Sequence, residues 1–214
     1  MISIRPSFMS QPRRSVLAAL LVYIAVVKAM PFLLSHFGLD ITLEGTSYLW
    51  GLTPVFALGL FGVARFRSIG LGMALPMFAW FAGDLLIGAA MGMDWMFYPG
   101  WYMTYVAFAV LCLGGLLLRD RRGLPRVIGV AVGSSIAFFL VSNFGSWYWD
   151  LGTSYPRTFA GLLTCYAAGI PFYKMQVLST LLFSGLLFSP VGEGFLMASE
   201  EGISEAGAAV PARN

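Results

Sequence analysis

The chain is 214 residues long, 58% apolar and only 11% charged, with a net charge of +3 and a mean hydropathy of +0.79. A soluble core of this size cannot hide that much apolar surface. Thirteen Lys and Arg against ten Asp and Glu leave no basic face for nucleic acid. The composition predicts an all-α, polytopic membrane helix bundle with apolar sequence for about six spans of roughly 20 residues each.

Uncharged stretches set the expected spans in chain order. The first covers 15–39 and is broken by Lys28, with Pro31 and the single histidine, His36, beyond it. The second covers 45–64, and the third 68–93 with one interruption, Asp84. The fourth covers 95–118 and the fifth 127–149. A short apolar run at 158–173 follows, then Lys174, then a last run at 175–192. As a helix the short run reaches about 24 Å, less than the ~30 Å of hydrocarbon. With Gly161, Gly169 and Pro171 in it, it reads as interfacial or re-entrant, and a seventh span stays open. The domain plan is an N-terminal segment (1–14), one transmembrane helical domain (15–191) and a disordered tail (192–214) holding Glu193, Glu200, Glu201 and Glu205.

Most of the cations fall in three alternate segments: Arg5, Arg13 and Arg14; Arg65 and Arg67; Arg119, Arg121, Arg122 and Arg126. The intervening loops carry Asp40, Glu44, Asp94 and Asp150, with Arg157 the one firm cation. By the positive-inside rule, N-terminus and tail are both cytoplasmic, in a bacterial inner membrane. Arg13-Arg14 before an apolar run also resembles an export signal, but five further spans favour a retained first helix. The two cysteines, Cys112 and Cys165, lack CxxC spacing and predict neither metal nor disulfide.

Ionisable groups inside a span are costly and mark functional sites by default. Lys28 either faces a cavity, pairs with an acid such as Asp84, or snorkels to an interface. Asp84 falls about 24 Å along the third span, as a ligand-facing or ion-pairing carboxylate in preference to a solvated helix end. Trp50, Trp95, Trp101, Trp147 and Trp149, with Tyr48, Tyr98, Tyr102, Tyr148 and Tyr155, gather at the outer face, and Trp80 alone lies clearly within a span. An aromatic belt would occupy both interfaces; this one-sided set fits loops folding rings over an outward-facing pocket. Small residues recur at Ala25/Ala29, Gly88/Gly92 and Gly129/Gly133, spacings that allow close helix approach or a membrane partner. Pro54 and Pro76 are expected to kink their spans and free carbonyls toward a cavity.

Catalytic material is sparse. The sequence has no Walker A run, HExxH or GxSxG, and a single histidine, so no enzymatic activity, cofactor or metal is expected. No arginine ladder or evident inverted repeat supports a voltage sensor or a self-sufficient transporter.

Several segments carry a resemblance. Leu52-Thr53-Pro54-Val55-Phe56-Ala57-Leu58 followed by Phe61-Gly62 resembles the NFTPVAAL…FGG signature of a family of small uncharacterised bacterial membrane proteins assigned to transport, with Leu52 in place of the asparagine. Ser142-Asn143-Phe144-Gly145-x-Trp147, Tyr155-Pro156-x-Thr158-x-x-Gly161-Leu162, Cys165-Tyr166 and Ile170-Pro171-Phe172-Tyr173 resemble further stretches, as does Pro76 with Asp84. Met175, Thr180 and Phe183 stand where the family pattern has polar residues. The resemblance covers roughly residues 50–190.

That family in turn resembles the substrate-binding S-components of energy-coupling factor transporters. This implies a bundle of about six helices, an outer ligand pocket, and a transmembrane coupling subunit with a separate ATPase as partners. Within that frame Asp84, Trp101, Asn143, Trp147 and Tyr155 are the expected solute-binding residues, and Ala25 and Ala29 the docking patch for the coupling subunit. The expected function is a membrane transport component that binds a small organic solute from outside, with lipid as its surroundings. An intramembrane enzyme acting on a lipid or quinone through Asp84 and Lys28, or a non-catalytic assembly subunit, are the alternatives.

Overall fold

The computed structural model describes residues 12–38 and 51–197, and these fold as helices and connecting turns apart from one isolated β-bridge between Pro12 and Met197. Helix α1 spans Arg14–His36, α2 Val55–Arg65 and α3 Ile69–Met91. A 3-10 turn, Met93–Trp95, leads to α4, Tyr102–Leu113, which tightens into a 3-10 stretch at Gly114–Leu118. Helix α5 spans Leu124–Trp149, α6 Phe159–Leu187 and α7 Pro190–Leu196. Hydroxyl caps start three of them: Ser68, Thr158 and Ser189 accept from the N–H groups of Leu71 (3.2 Å), Gly161 (3.1 Å) and Gly192 (3.1 Å), satisfying donors the first turn leaves free.

Four described helices, α1, α3, α5 and α6, are long and apolar enough to cross a membrane, while α2 and the α4 stretch are shorter. Large apolar side chains such as Val22, Phe78, Leu163 and Phe172 point out of the bundle. Such a surface is stable against lipid rather than water, and the chain is a membrane helical bundle.

The interfacial segment expected at 158–173 is not a separate element. Thr158 caps a helix that runs unbroken through Pro171 and Lys174 to Leu187. Lys174 is exposed, so its charge decorates the helix surface instead of ending it. The first residues of the expected disordered tail, through Leu196, belong to α7, and Glu193 is ion-paired. The remainder of that tail, the N-terminal residues before Pro12, and Asp40, Glu44, Tyr48 and Trp50 lie outside the described residues.

Helix α2 is the hub. All eleven of its residues are buried, and it packs against α3, α4 with its 3-10 extension, and α6. Helix α1 packs on α3, and α5 lies against both α4 and α6. Only glycines allow the α2–α3 crossing: a Cβ on Gly62 would lie 2.6 Å from the Gly72 carbonyl oxygen. Gly129 and Gly133, by contrast, have open space where a Cβ would stand, so that pair brings no helix close.

At about 16 Å, α2 reaches only half the thickness of a bilayer core. The chain therefore enters it through buried, non-helical backbone, which a membrane bundle tolerates only where protein groups satisfy it. Ser179 on α6 supplies them. Its Oγ accepts the Thr53 N–H at 3.0 Å and donates to the Thr53 carbonyl at 2.7 Å. Pro54, which follows, has no N–H to satisfy.

At the arginine-rich end the two termini of the described chain meet. The Arg13 N–H donates to the Leu196 carbonyl at 2.8 Å. Glu193 bridges Arg65 at 2.9 Å and Arg122 at 3.4 Å. The last turn of α2 is thereby tied to α7.

Ser179→Ala removes both bonds to Thr53 and leaves a buried donor and acceptor unpaired, at a cost of about 1–3 kcal/mol. Its unfolding midpoint in detergent should fall accordingly; an unchanged midpoint would show that water or other groups replace the hydroxyl.

Candidate functional site

Two side chains one turn apart on α3, Trp80 and Asp84, face α1 and α4. From α1, Lys28 Nζ lies 2.6 Å from Asp84 Oδ1, donates to the Trp80 carbonyl at 3.2 Å, and sits 3.8 Å above the Trp80 ring. From α4, the Tyr105 hydroxyl donates to Asp84 Oδ2 in a short hydrogen bond. Lys28 and Asp84 side chains are 12% and 21% exposed, so the pair is largely withdrawn from solvent and depends on these partners.

Gly83 makes the approach possible. A Cβ there would stand 2.8 Å from Lys28 Cδ and 3.1 Å from the Ala25 carbonyl oxygen. Ala25 and Ala29 are buried, on the helix that packs against α3. Expected as a partner-docking patch, both are buried within this bundle.

Two cavities adjoin this group. One of about 240 Å³ is lined by Asp84, Met96, Tyr98, Trp101, Thr104 and Tyr105. The other, of about 500 Å³, is lined by Ser35, Thr53, Phe56, Met175 and Gln176 among others. Lys28, Phe32, Trp80 and Trp95 line both, forming the wall between them. The rings brace one another edge to face: Phe32 with Trp95 at 5.8 Å, and Trp101 with Tyr105 at 5.6 Å. Polar groups are few and placed. The Gln176 amide nitrogen, Nε2, donates to Ser135 Oγ at 3.2 Å and Thr180 Oγ1 at 3.4 Å. Its Oε1 is buried without a hydrogen-bond partner.

Of the expected solute-binding residues, Asp84 and Trp101 line the smaller cavity. Asn143, Trp147 and Tyr155 line neither; they build the α5–α6 junction. Asn143 Nδ2 donates to the Phe139 carbonyl at 2.9 Å, and Trp147 Nε1 to the Pro156 carbonyl at 3.0 Å. Asp150 Oδ2 accepts the N–H groups of Ser154 at 2.6 Å and Tyr155 at 2.9 Å. The chain turns there through Leu151 (φ +57°) and Gly152 (φ +84°). The side-chain N–H groups of Asn143 and Trp147 thus serve the backbone. His36, at the end of α1, packs edge-on to Phe37 and lines neither cavity.

Sequence reasoning missed Tyr105, Phe32 and Gln176 as cavity residues and had Trp95 only in the general outer set of rings. Spacing held the signal for one: Trp80/Asp84 and Trp101/Tyr105 are both i, i+4 pairs, which share a helix face. Among the described residues no group of three or more His, Cys, Asp or Glu is placed to hold a metal ion. Chemically, the triad is closed. Both Asp84 oxygens have donors and Lys28 has acceptors, so neither is poised as a free base or nucleophile.

The chain belongs to a family of unknown function, DUF6580, whose pattern covers residues 8–195. No curated protein and no solved structure matches it.

Removing one partner of the buried pair should cost far more than removing both. Lys28→Met or Asp84→Asn alone should destabilise by about 3–5 kcal/mol, with much of the loss recovered in the double variant. Additive losses in thermal unfolding would show that the charges do not depend on each other. At the α5–α6 turn, the Tyr155 N–H, with the hydroxyl and N–H of Ser154, holds the Asp150 carboxyl below its ordinary value of 3.8. A lowered folded value contributes stability above the ordinary value and loses it as pH falls through the folded one. Asp150→Asn should therefore flatten the acid limb of stability below about pH 4, followed by unfolding midpoints across pH; an unchanged limb would contradict it.

Proposed function

We propose that this protein is the solute-binding component of a membrane transport system, taking a small organic molecule into the aromatic cavities beside Lys28 and Asp84. The observation that carries the reading is the larger cavity. At about 500 Å³ it matches the size of small-molecule sites, which combine mostly apolar walls with a few fixed polar groups. Lys28, Ser35, Thr53 and Gln176 are those groups here. Trp80 and Trp95 offer ring faces for stacking.

In this reading the arginine-rich end lies in the cytoplasm of a bacterial cell, by the positive-inside rule, and the cavities face outward. The sequence carries no Walker A run, so energy comes from a partner, in the manner of the S-components that the sequence resembles. About six passes then result if α2 and the α4 stretch each complete one.

A second reading, an intramembrane enzyme, draws on one observation: Lys28 and Asp84 meet beside a cavity. Their mutual neutralisation favours binding, since an acid–base catalyst needs one of them available.

The test is thermal stability of the purified protein against a broad panel of organic solutes. A ligand present at a hundred times its Kd stabilises by about 2.7 kcal/mol, a shift of roughly 5–10 °C for a chain of this size. Trp80→Leu and Trp101→Leu should abolish most of that shift. No stabilisation by any solute, or equal shifts in the variants, would overturn the reading.

A further inference from the structure

Lys28 occupies its site as a bound cation would. Its Nζ lies 3.8 Å above the Trp80 ring and 2.6 Å from Asp84 Oδ1, and Trp95, Trp101 and Tyr105 line the space beside it. A ring face with neighbouring aromatics and a carboxylate is the arrangement that recognises organic ammonium groups. Building on the solute-binding reading, we infer that the ligand is an organic ammonium cation that takes the place of the Lys28 ammonium at Trp80 and Asp84, and that Lys28 releases one proton as it does so.

The charge count drives the proton release. The titratable groups facing Lys28 are Asp84 on α3, Tyr105 on α4, and Tyr98 in the turn before it. Only one of them is an acid that balances a cation near neutral pH. A second cation in the same enclosed space would be uncompensated, at high cost. The Nζ–H bond therefore breaks, its electron pair stays on nitrogen as a neutral amine, and the proton passes to bulk water. The displaced amine has somewhere to go. Lys28 also lines the larger cavity, together with Ser35 and Thr53, whose hydroxyl oxygens can accept from an amine N–H. Gly83, over which the lysine stem passes, leaves no side chain in its path.

Choline and tetramethylammonium serve as probes, with 3,3-dimethylbutan-1-ol as the uncharged isostere of choline. Isothermal titration of the full-length protein in two buffers of different ionisation enthalpy counts the protons. A cation should bind at least tenfold tighter than the isostere and release one proton, so its affinity rises about tenfold per pH unit. Lys28→Met should bind the cation at least tenfold tighter, with no proton released; if that variant does not fold, the wild-type proton count decides. Equal binding of choline and its isostere, cation binding without proton release, or no cation binding would each overturn the exchange. If a neutral or anionic solute stabilises the protein while neither cation does, solute binding stands and the ammonium assignment falls. If nothing in either panel binds, both fall.

Discussion

A lysine and an aspartate held 2.6 Å apart inside an apolar bundle constrain everything packed around them. Either charge alone would be expensive in that setting, and even the pair is stable only with further hydrogen bonds to absorb its remaining donors and acceptors. The Trp80 carbonyl and ring take up Lys28, and Tyr105 takes up the second Asp84 oxygen. Three helices are thereby pinned at one point. Helix α1 can come that close because position 83 is glycine, and Ala25 and Ala29 are buried nearby on the same helix. The aromatic cavities on either side of Lys28 follow from this arrangement, since the wall between them is built on Lys28 and Trp80.

The same economy of polar groups governs the rest of the bundle. A half-length α2 leaves buried backbone at its entrance, and a single serine from α6 satisfies both backbone groups of Thr53. At the opposite end of α2, Arg65 is met by Glu193 from α7. Both ends of the hub helix are thus fixed by one polar side chain each, while its length is held by apolar packing. Such arrangements replace the hydrophobic driving force that helices lose when their surroundings are lipid.

Much of the architecture was legible in the sequence, because uncharged runs of membrane-spanning length have few other uses. The helices at α1, α3 and α5 fall where those runs predicted them. The split of α6 was misread for a physical reason. Lys174 and Pro171 look like helix ends in a linear string, yet an exposed lysine and an internal proline are both tolerated in such a helix. The site was half legible. Asp84 and Lys28 stood out because charge is rare within the spans, and Trp101 because tryptophans cluster at one end. Asn143, Trp147 and Tyr155 looked equally suggestive but lie at the α5–α6 junction away from both cavities, since residue type alone does not reveal whether a polar group is already spent on backbone. Gln176 was invisible for the converse reason: its unused oxygen depends on the positions of Ser135 and Thr180.

The central claim is that the space beside Lys28 and Asp84 exists to hold a small organic molecule. Mass spectrometry of whatever remains bound after gentle purification tests it most directly. The account predicts one small organic molecule near equimolar with the wild-type protein and lost from Asp84→Asn. Wild-type protein carrying nothing but lipid and detergent, or retaining the same molecule equally well in the variant, would contradict it.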